Sequence, residues 1–230
     1  MILPLSLNYT SFLRRDILGC ITSIAALSVM SRQEKPEGVT IALTGDVMLG
    51  RLVDQTLPHP FQNGTADSAM RPRVRAIAGA DQLSDQELYE RPWGDTKDLL
   101  KRADLTLINL ETSITQHSEK WPAKVFNYRM HPLNAPGALT AAGVDFCSLA
   151  NNHVLDFGYP GLTETLRVLE LAGIAHTGAG ENAEEAMKPA VLTHESSGLK
   201  VTLSALASKQ EQMNQNLTPC AHLKHFSSHS

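Results

Sequence analysis

Residues 148–158 read Ser148-Leu149-Ala150-Asn151-Asn152-His153-Val154-Leu155-Asp156-Phe157-Gly158. The apolar run from Val144 to Ala150 predicts a short buried strand, and Gly158 ends the polar segment that follows it. Open α/β sheets place their chemistry at the carboxyl ends of buried strands. A plain turn is the alternative, because Asn tolerates a left-handed backbone and Asp156 can cap the next helix. The ends of the other strands distinguish these interpretations.

Two earlier segments also run from an apolar strand into a carboxylate. Residues 39–44 predict a first strand, and Asp46 follows it; residues 104–109 predict a second strand, and Glu111 follows it. A carboxylate that leaves a buried strand must pair, cap a helix or hold a metal ion. Taken singly, Asp46 can be the cap of a helix over residues 49–57, and Glu111 can be an exposed charge near a helix start.

The remaining pattern predicts an α/β domain. It contains a helix begun by Asn134, an amphipathic helix, a fourth strand, a glycine turn and a hairpin, at residues 135–143, 161–172, 174–177, 178–180 and 189–206. Residues 58–89 are polar and weakly periodic, which predicts an insertion or long surface loop. His194, beside the hairpin turn, is expected to face solvent. Cys147 lies within an apolar strand and is expected in the core.

Composition limits the classes of partner. The chain has 230 residues, with 20 Lys and Arg against 24 Asp and Glu, and no basic stripe interleaved with aromatic residues. This pattern argues against a nucleic-acid partner. The three cysteines are far apart and form no Cys-x-x-Cys pair, so they indicate neither a disulfide framework nor a thiolate zinc site.

The domain boundaries follow from shifts in composition. Residues 1–38 are expected to form an amino-terminal extension, residues 39–207 the folded domain and residues 208–230 a divergent, disordered tail. The apolar stretch 17–30 is short for a membrane span, which needs about 20 residues. A cytoplasmic location is favoured, with secretion or membrane association as the alternative if this stretch is a signal.

Three predicted strands therefore end in groups that suit a metal ion. The carboxyl ends of parallel strands share one edge of a sheet, so these groups can converge. Oxygen ligands with an occasional imidazole suit manganese, iron, zinc or magnesium. Two such ions a few ångströms apart polarise a phosphoryl oxygen and generate hydroxide, which is hydrolase chemistry. The converging groups are Asp46, Asn109, Glu111, Asn152, His153 and Asp156.

Two arginines are candidates for binding a polyanionic or phosphorylated substrate. Arg51 follows Asp46 in the first strand-end segment, and Arg129 lies among aromatic residues. Arg129 is either a packing arginine with a stacked guanidinium or an anion clamp, because the flanking aromatics serve both uses.

Four ordered segments resemble the motifs of the CapA family, which is associated with poly-gamma-glutamate capsule biosynthesis. They are Gly45-Asp46-Val47-Met48-Leu49-Gly50-Arg51, Asn109-Leu110-Glu111-Thr112, Ala150-Asn151-Asn152-His153-x-x-Asp156-x-Gly158 and Gly178-Ala179-Gly180. The resemblance covers residues 39–207. It implies an α/β fold similar to that of calcineurin-like metallophosphatases, a two-sheet sandwich flanked by helices, here incomplete.

The resemblance also implies roles for single residues. Asp46 would bind a first divalent metal ion, Glu111 would bridge two ions, and Asn152 would bind the second through its amide oxygen. His153 would donate a proton to the leaving group or steady the transferring oxygens. Asp156 would orient His153, with a helix-cap role as the alternative.

This sequence departs from the family in two respects. Met48 lies where metallophosphatases usually carry a histidine ligand, and nothing from residue 208 onward resembles the family's later histidine motifs. Three functions stay open. They are a divalent-metal-dependent hydrolase of phosphoester or polymer amide bonds, a non-catalytic accessory subunit with polymer-synthesis partner proteins, and an inactive truncated fragment.

Overall fold

The computed structural model describes residues 38–62 and 66–207. In chain order, the strands are β1 (Ile41–Val47), β2 (Leu105–Leu110), β3 (Ser113–Ile114), β4 (Arg129–Met130), β5 (Phe146–Ser148), β6 (Ala175–Thr177), β7 (Ala190–His194) and β8 (Leu199–Leu203). The α-helices are α1 (Arg51–Asp54), α2 (Ala66–Ala78), α3 (Asp85–Glu90), α4 (Thr96–Leu100), α5 (Ala135–Ala141), α6 (Gly158–Leu171) and α7 (Ala183–Met187).

The main sheet is parallel and has the order β1-β2-β5-β6. Its register aligns Asp46 with Asn109, Asn109 with Ser148, and Ser148 with Thr177. Because all four strands run the same way, this row lies at the carboxyl edge of the sheet. The predicted α/β class and the shared edge of the strand ends are confirmed.

The larger hydrophobic core includes the apolar faces of α5 and α6. In α6, Leu162, Leu166 and Leu169 recur at helical spacing and are buried, as the sequence pattern predicted. Cys147 on β5 is also fully buried in this core, which confirms its structural role. Each fully buried leucine contributes about 1.5–3 kcal/mol. This packing holds the strand ends, and the segment after β5, in fixed positions.

A smaller core joins the sheet to the antiparallel hairpin β7–β8. Leu105, Leu107 and Phe146 form its buried centre, and Leu192 and Val201 of the hairpin pack against it. The predicted hairpin is therefore confirmed. Within the described residues, the four-stranded sheet is accompanied by two-stranded pairs only, β3–β4 and β7–β8.

The prediction of a long loop over residues 58–89 was wrong. This region contains α2 and α3, joined through a short 3-10 helix at Ala80–Gln82. The helix α2 buries none of its residues, so no apolar periodicity marked it. The helix α3 begins with a capping box, in which Ser84 and Glu87 satisfy each other's backbone N–H groups.

Two side chains differ from their expected positions. His194 does not face solvent: its side chain is 13% exposed, and Nε2 lies 3.4 Å from Asp104 Oδ1. Asn134 precedes α5 as predicted, but its side chain makes no cap hydrogen bond. It accepts from the backbone N–H of His59 and donates to Asp54 instead. Both side chains tie together segments that are far apart in the sequence, which local patterns do not reveal.

Across residues 38–62 and 66–207, no helix combines the length and apolar character that crossing a membrane requires. The apolar stretch 17–30 and the predicted tail 208–230 lie outside the described residues.

Candidate functional site

One side-chain amide lies between two carboxylates at the carboxyl edge of the sheet. Asn109 Nδ2 donates to Asp46 Oδ1 and to Glu111 Oε2, each at 2.8 Å. Asp46 is exposed, whereas 12% of the Glu111 side chain is exposed. The ends of β1 and β2 therefore bring two carboxylates together, as the sequence predicted.

The orientation of this amide is fixed by the backbone through Asn151. Asn151 Oδ1 accepts from the backbone N–H of His153 at 3.0 Å, and its Nδ2 donates to the backbone carbonyl of Leu110 at 2.9 Å. A backbone N–H only donates and a carbonyl only accepts, so the two ends of the Asn151 amide are not interchangeable. Asn151 Nδ2 also donates to Asn109 Oδ1 at 3.0 Å, which turns the Asn109 amino group toward the carboxylates.

His153 lies between two carboxylates in the segment after β5. Its Nδ1 is 2.7 Å from Asp156 Oδ2, and its Nε2 is 3.7 Å from Glu111 Oε1. The ring stacks on Tyr128, with 4.1 Å between centroids and 22° between planes. Ser113 Oγ donates to the backbone carbonyl of His153 at 2.8 Å. The imidazole is thus held by stacking on Tyr128 and by the contact at Nδ1, and the His153 backbone is held by Ser113.

Asp156 holds this histidine and does not cap the next helix. Its side chain is fully buried, and the N-cap residue of α6 is Phe157, which makes no side-chain cap bond. Asp156 accepts from the Lys124 ammonium and from the backbone N–H of Tyr128. The contacts are those expected of a residue that orients His153. No side-chain hydrogen bond supports the alternative, a helix cap.

Burial governs the electrostatics of Glu111. Its removal from water raises the pKa of the carboxyl, and the neighbouring Asp46 charge raises it further. His153, Asn109 and Lys124 oppose this rise, because positive charge and hydrogen-bond donors favour the ionised form. The protonation of Glu111 therefore depends on its burial and on the charges beside it.

The other predicted site residues lie around this cluster. Asn152 contributes its backbone carbonyl to a hydrogen bond from Lys124. Arg51 begins α1 with a φ of 56° and forms an ion pair with Asp67, with 2.7 Å between Nε and Oδ2. Met48, three residues before Arg51, is half-buried. The assigned roles of Asn152 and Arg51 stay predictions.

Arg129 has the contacts of a packing arginine. Its guanidinium lies 4.0 Å from the ring centroid of Phe61 and 4.9 Å from that of Phe157. It also donates to the backbone carbonyl of His117 at 2.6 Å. These contacts hold the chain between β3 and β4 against the start of α6. A substrate contact by Arg129 stays a prediction.

Sequence reasoning missed Lys124 and Tyr128. Both lie in the irregular stretch between β3 and β4, and both reach Asp156 across about 30 residues of sequence. The one local signal was a lysine close to aromatic residues in an otherwise irregular segment.

The donor chemistry suits a hard divalent cation, but the number of donors is small. Asp46 and Glu111 supply carboxylate oxygens, and Asn152 carries an amide oxygen in the adjoining segment. Within residues 38–62 and 66–207, no three His, Cys, Asp or Glu side chains form a group that could hold a metal ion. The described residues thus match a divalent cation in type of donor, and they offer fewer donors than a closed coordination shell needs.

Comparison with known proteins identifies the family. The family described as bacterial capsule synthesis protein PGA_cap matches residues 40–228. The chain belongs to this family. The predicted relationship to CapA-type capsule and poly-glutamate biosynthesis proteins is therefore confirmed.

Curated relatives agree with this assignment. A protein of Mycobacterium tuberculosis, strain H37Rv, named "Probable polyglutamine synthesis accessory protein", is 44% identical over 164 residues, or 69% of this chain and 43% of the relative. The capsule biosynthesis protein CapA of Bacillus anthracis is 24% identical over 206 residues, or 85% of this chain and 43% of the relative. The chain thus spans less than half the length of these relatives.

Proposed function

We propose that this chain carries the acid–base part of a divalent-metal-dependent hydrolase site in capsule or poly-gamma-glutamate biosynthesis. The bonds that this site would cleave are phosphoester or polymer amide bonds. The supporting observation is the placement of His153 between Asp156 and Glu111 at the edge where three strand ends meet. A histidine held in this way can exchange a proton with a leaving group.

Asp156, Tyr128 and His153 have different roles in the proposed proton transfer. An ionised carboxylate only accepts hydrogen bonds, so Asp156 keeps the hydrogen of His153 on Nδ1. Nε2 is then the ring nitrogen available to a substrate, on the side of Glu111; it accepts a proton when the ring is neutral and would donate one to the leaving group from the doubly protonated ring. The Tyr128 ring limits rotation of the imidazole. His153 would thus meet the leaving group in one orientation, which lowers the entropic cost of proton transfer.

A divalent cation, when bound, would polarise the phosphoryl or carbonyl oxygen under attack. Asp46, Glu111 and the amide of Asn152 would hold it. Arg51 and Arg129 are the proposed contacts for a polyanionic or phosphorylated substrate. A metallophosphatase-like sandwich of two sheets is part of the same proposal, and it is supported by the hairpin β7–β8, which packs over one face of the parallel sheet.

A second candidate is a non-catalytic accessory role with polymer-synthesis partner proteins. The printed name of the mycobacterial relative describes an accessory protein of polyglutamine synthesis. The small number of metal donors in the described part of the chain also favours this candidate. Under it, Asp46 and His153 would matter little to partner binding.

Hydrolysis by the full chain separates the two candidates. The protein would be supplied with Mn²⁺, Zn²⁺ or Mg²⁺ and assayed on p-nitrophenyl phosphate and on poly-gamma-glutamate. We expect His153→Asn to lower kcat by about 100-fold to 10,000-fold, because the proton donor is lost. His59→Asn, a change of an exposed histidine, is the control. Equal rates for the wild type and His153→Asn, or no hydrolysis by the wild type, would leave the accessory role.

A further inference from the structure

Lys124 is a nearly buried cation to which the proposed reaction gives no part. Its side chain is 3% exposed, and its ammonium contacts the Asp156 carboxylate and the backbone carbonyl of Asn152. A buried ammonium is unfavourable unless it is paired and hydrogen-bonded. The chain meets that requirement beside His153, in the segment that carries the candidate proton donor.

The two oxygens of Asp156 have different partners. Oδ1 binds the Lys124 ammonium, whereas Oδ2 accepts from the backbone N–H of Tyr128 and contacts His153 Nδ1. Lys124 Nζ and His153 Nδ1 are 3.3 Å apart. The Asp156 carboxylate oxygen at 2.7 Å only accepts, so His153 Nδ1 carries a hydrogen directed to Asp156 and cannot accept one from the ammonium. The lysine therefore occupies one oxygen and leaves the other to the histidine.

The loop that carries Lys124 also contacts His153 through Tyr128. Tyr128 lies four residues after Lys124, and its ring stacks on the imidazole while its backbone N–H binds Asp156. Asn127 Nδ2 donates to the backbone carbonyl of Lys124 at 3.0 Å, which links the two ends of this short segment. Displacement of Lys124 would thus disturb both the carboxylate that orients His153 and the ring that packs on it.

We propose that Lys124 is a positioning residue that fixes the Asp156 carboxylate and, through it, the tautomer and orientation of His153. This inference rests on the proposed function for its kinetic consequence. Its structural consequence does not depend on catalysis, because the tautomer of His153 can be measured in the resting protein.

The test compares variants of the whole 230-residue chain in two measurements. Lys124→Gln removes the charge and Lys124→Arg retains it, while Lys120→Gln changes an exposed lysine of the same loop as a control. The ¹⁵N signals of the His153 ring report which nitrogen carries hydrogen. Steady-state hydrolysis reports kcat and KM separately, and circular dichroism establishes that each variant is folded.

We expect the wild type and Lys120→Gln to show the Nδ1-protonated tautomer, and Lys124→Gln to show a mixture of tautomers. We also expect Lys124→Gln to lower kcat by about 100-fold with KM within about twofold, since a displacement near 1 Å has such an effect. Lys124→Arg should recover most of the ring signature and of kcat. If Lys124→Gln does not fold, Lys124→Met gives the same comparison.

Two results would overturn the inference. One is a His153 ring signature in Lys124→Gln that matches the wild type. The other is a loss of kcat in Lys124→Gln that Lys124→Arg does not recover. Absence of hydrolysis by the wild type would instead count against the proposed function, and the ¹⁵N comparison would still decide the role of Lys124.

Discussion

At the scale of single residues, the site depends on hydrogen-bond donors placed against carboxylates. Asn109 separates Asp46 from Glu111, and Asn151 sets the direction of the Asn109 amide through backbone groups. Two like charges at a sheet edge would otherwise repel each other. The amides keep the carboxylates close together while their charges are unneutralised.

Replacement of Asn151 by leucine should destabilise the fold. Leucine has a similar shape but leaves the backbone carbonyl of Leu110 and the N–H of His153 without the side-chain partners that they have now. Each unpaired group costs about 1–3 kcal/mol. Urea unfolding of Asn151→Leu should show a loss in this range or above it. A loss within 0.5 kcal/mol, roughly that of a neutral surface substitution, would contradict the described role of this amide.

Asp54 is expected to make the free energy of unfolding depend on pH. Its carboxyl is buried, and burial raises its pKa, although hydrogen bonds from the His131 backbone and the Asn134 side chain oppose the rise. A carboxyl with a raised pKa binds its proton more tightly in the folded state, so stability falls as pH rises through the folded-state pKa. Asp54→Asn has no such titration. The stability advantage of the wild type over Asp54→Asn should therefore shrink as the pH rises from the ordinary Asp pKa, about 4, through the raised pKa of the folded state.

Chemical unfolding of both proteins at several pH values measures this difference, and groups common to both proteins cancel in it. An advantage of the wild type that grows with pH would mean that the hydrogen bonds to Asp54 outweigh its burial.

At the scale of elements, close approach between loops sets the position of the segment after β5. A Cβ added to Gly178 would lie 2.7 Å from the backbone nitrogen of Ala150, and this glycine has a φ of +97°. The turn after β6 therefore packs directly on the start of the segment that carries Asn151 and His153. This explains why a glycine stands at this point, in a segment that the sequence marked as a turn and as one of the family-like motifs.

Gly178→Ala should destabilise the protein more than Gly198→Ala does. Gly198 also has a positive φ, at +67°, but open space surrounds the position of an added Cβ. Gly198→Ala, the control, therefore incurs only the cost of placing an alanine at positive φ, about 1–2 kcal/mol. Gly178→Ala adds overpacking, which costs typically about 1–3 kcal/mol. Thermal or urea unfolding would measure both, and equal losses would contradict the close approach.

The pair of His194 and Asp104 is predicted to fasten the hairpin β7–β8 to the sheet. Asp104 also accepts from the backbone N–H of Thr40 at 2.8 Å, so the contact lies where β1 and β2 begin. Loss of about 1 kcal/mol of local stability in His194→Ala would raise hairpin amide exchange about fivefold. Exchange of the amides in β2 and β5 should stay as in the wild type. Unchanged hairpin exchange would show that its apolar contacts alone hold it.

At the scale of the whole molecule, the sequence predicted the parts that local patterns encode. Apolar strand runs followed by Asp46, Glu111 and the His153 segment predicted the shared sheet edge, because buried parallel strands have a strong pattern. Lys124 could not be predicted, since its contact with Asp156 spans 32 residues through an irregular loop. The helix α2 was not predicted, because it buries none of its residues and so has no apolar face to detect.

The chain belongs to the bacterial capsule synthesis protein family and covers less than half the length of its curated relatives. Its described residues bring together Asp46, Glu111 and His153, with Asp156 and Lys124 behind the histidine. The proposed site combines a divalent cation at this edge with His153 as the group that exchanges a proton.

The amount of bound metal shows whether this edge holds a divalent cation. The full chain would be purified, incubated with Mn²⁺ or Zn²⁺, freed of excess ion and subjected to elemental analysis beside an Asp46→Ala, Glu111→Ala double variant. We expect bound metal in the wild type in stoichiometric amount and its loss in the double variant. No bound metal in the wild type, or equal metal in both proteins, would contradict this expectation.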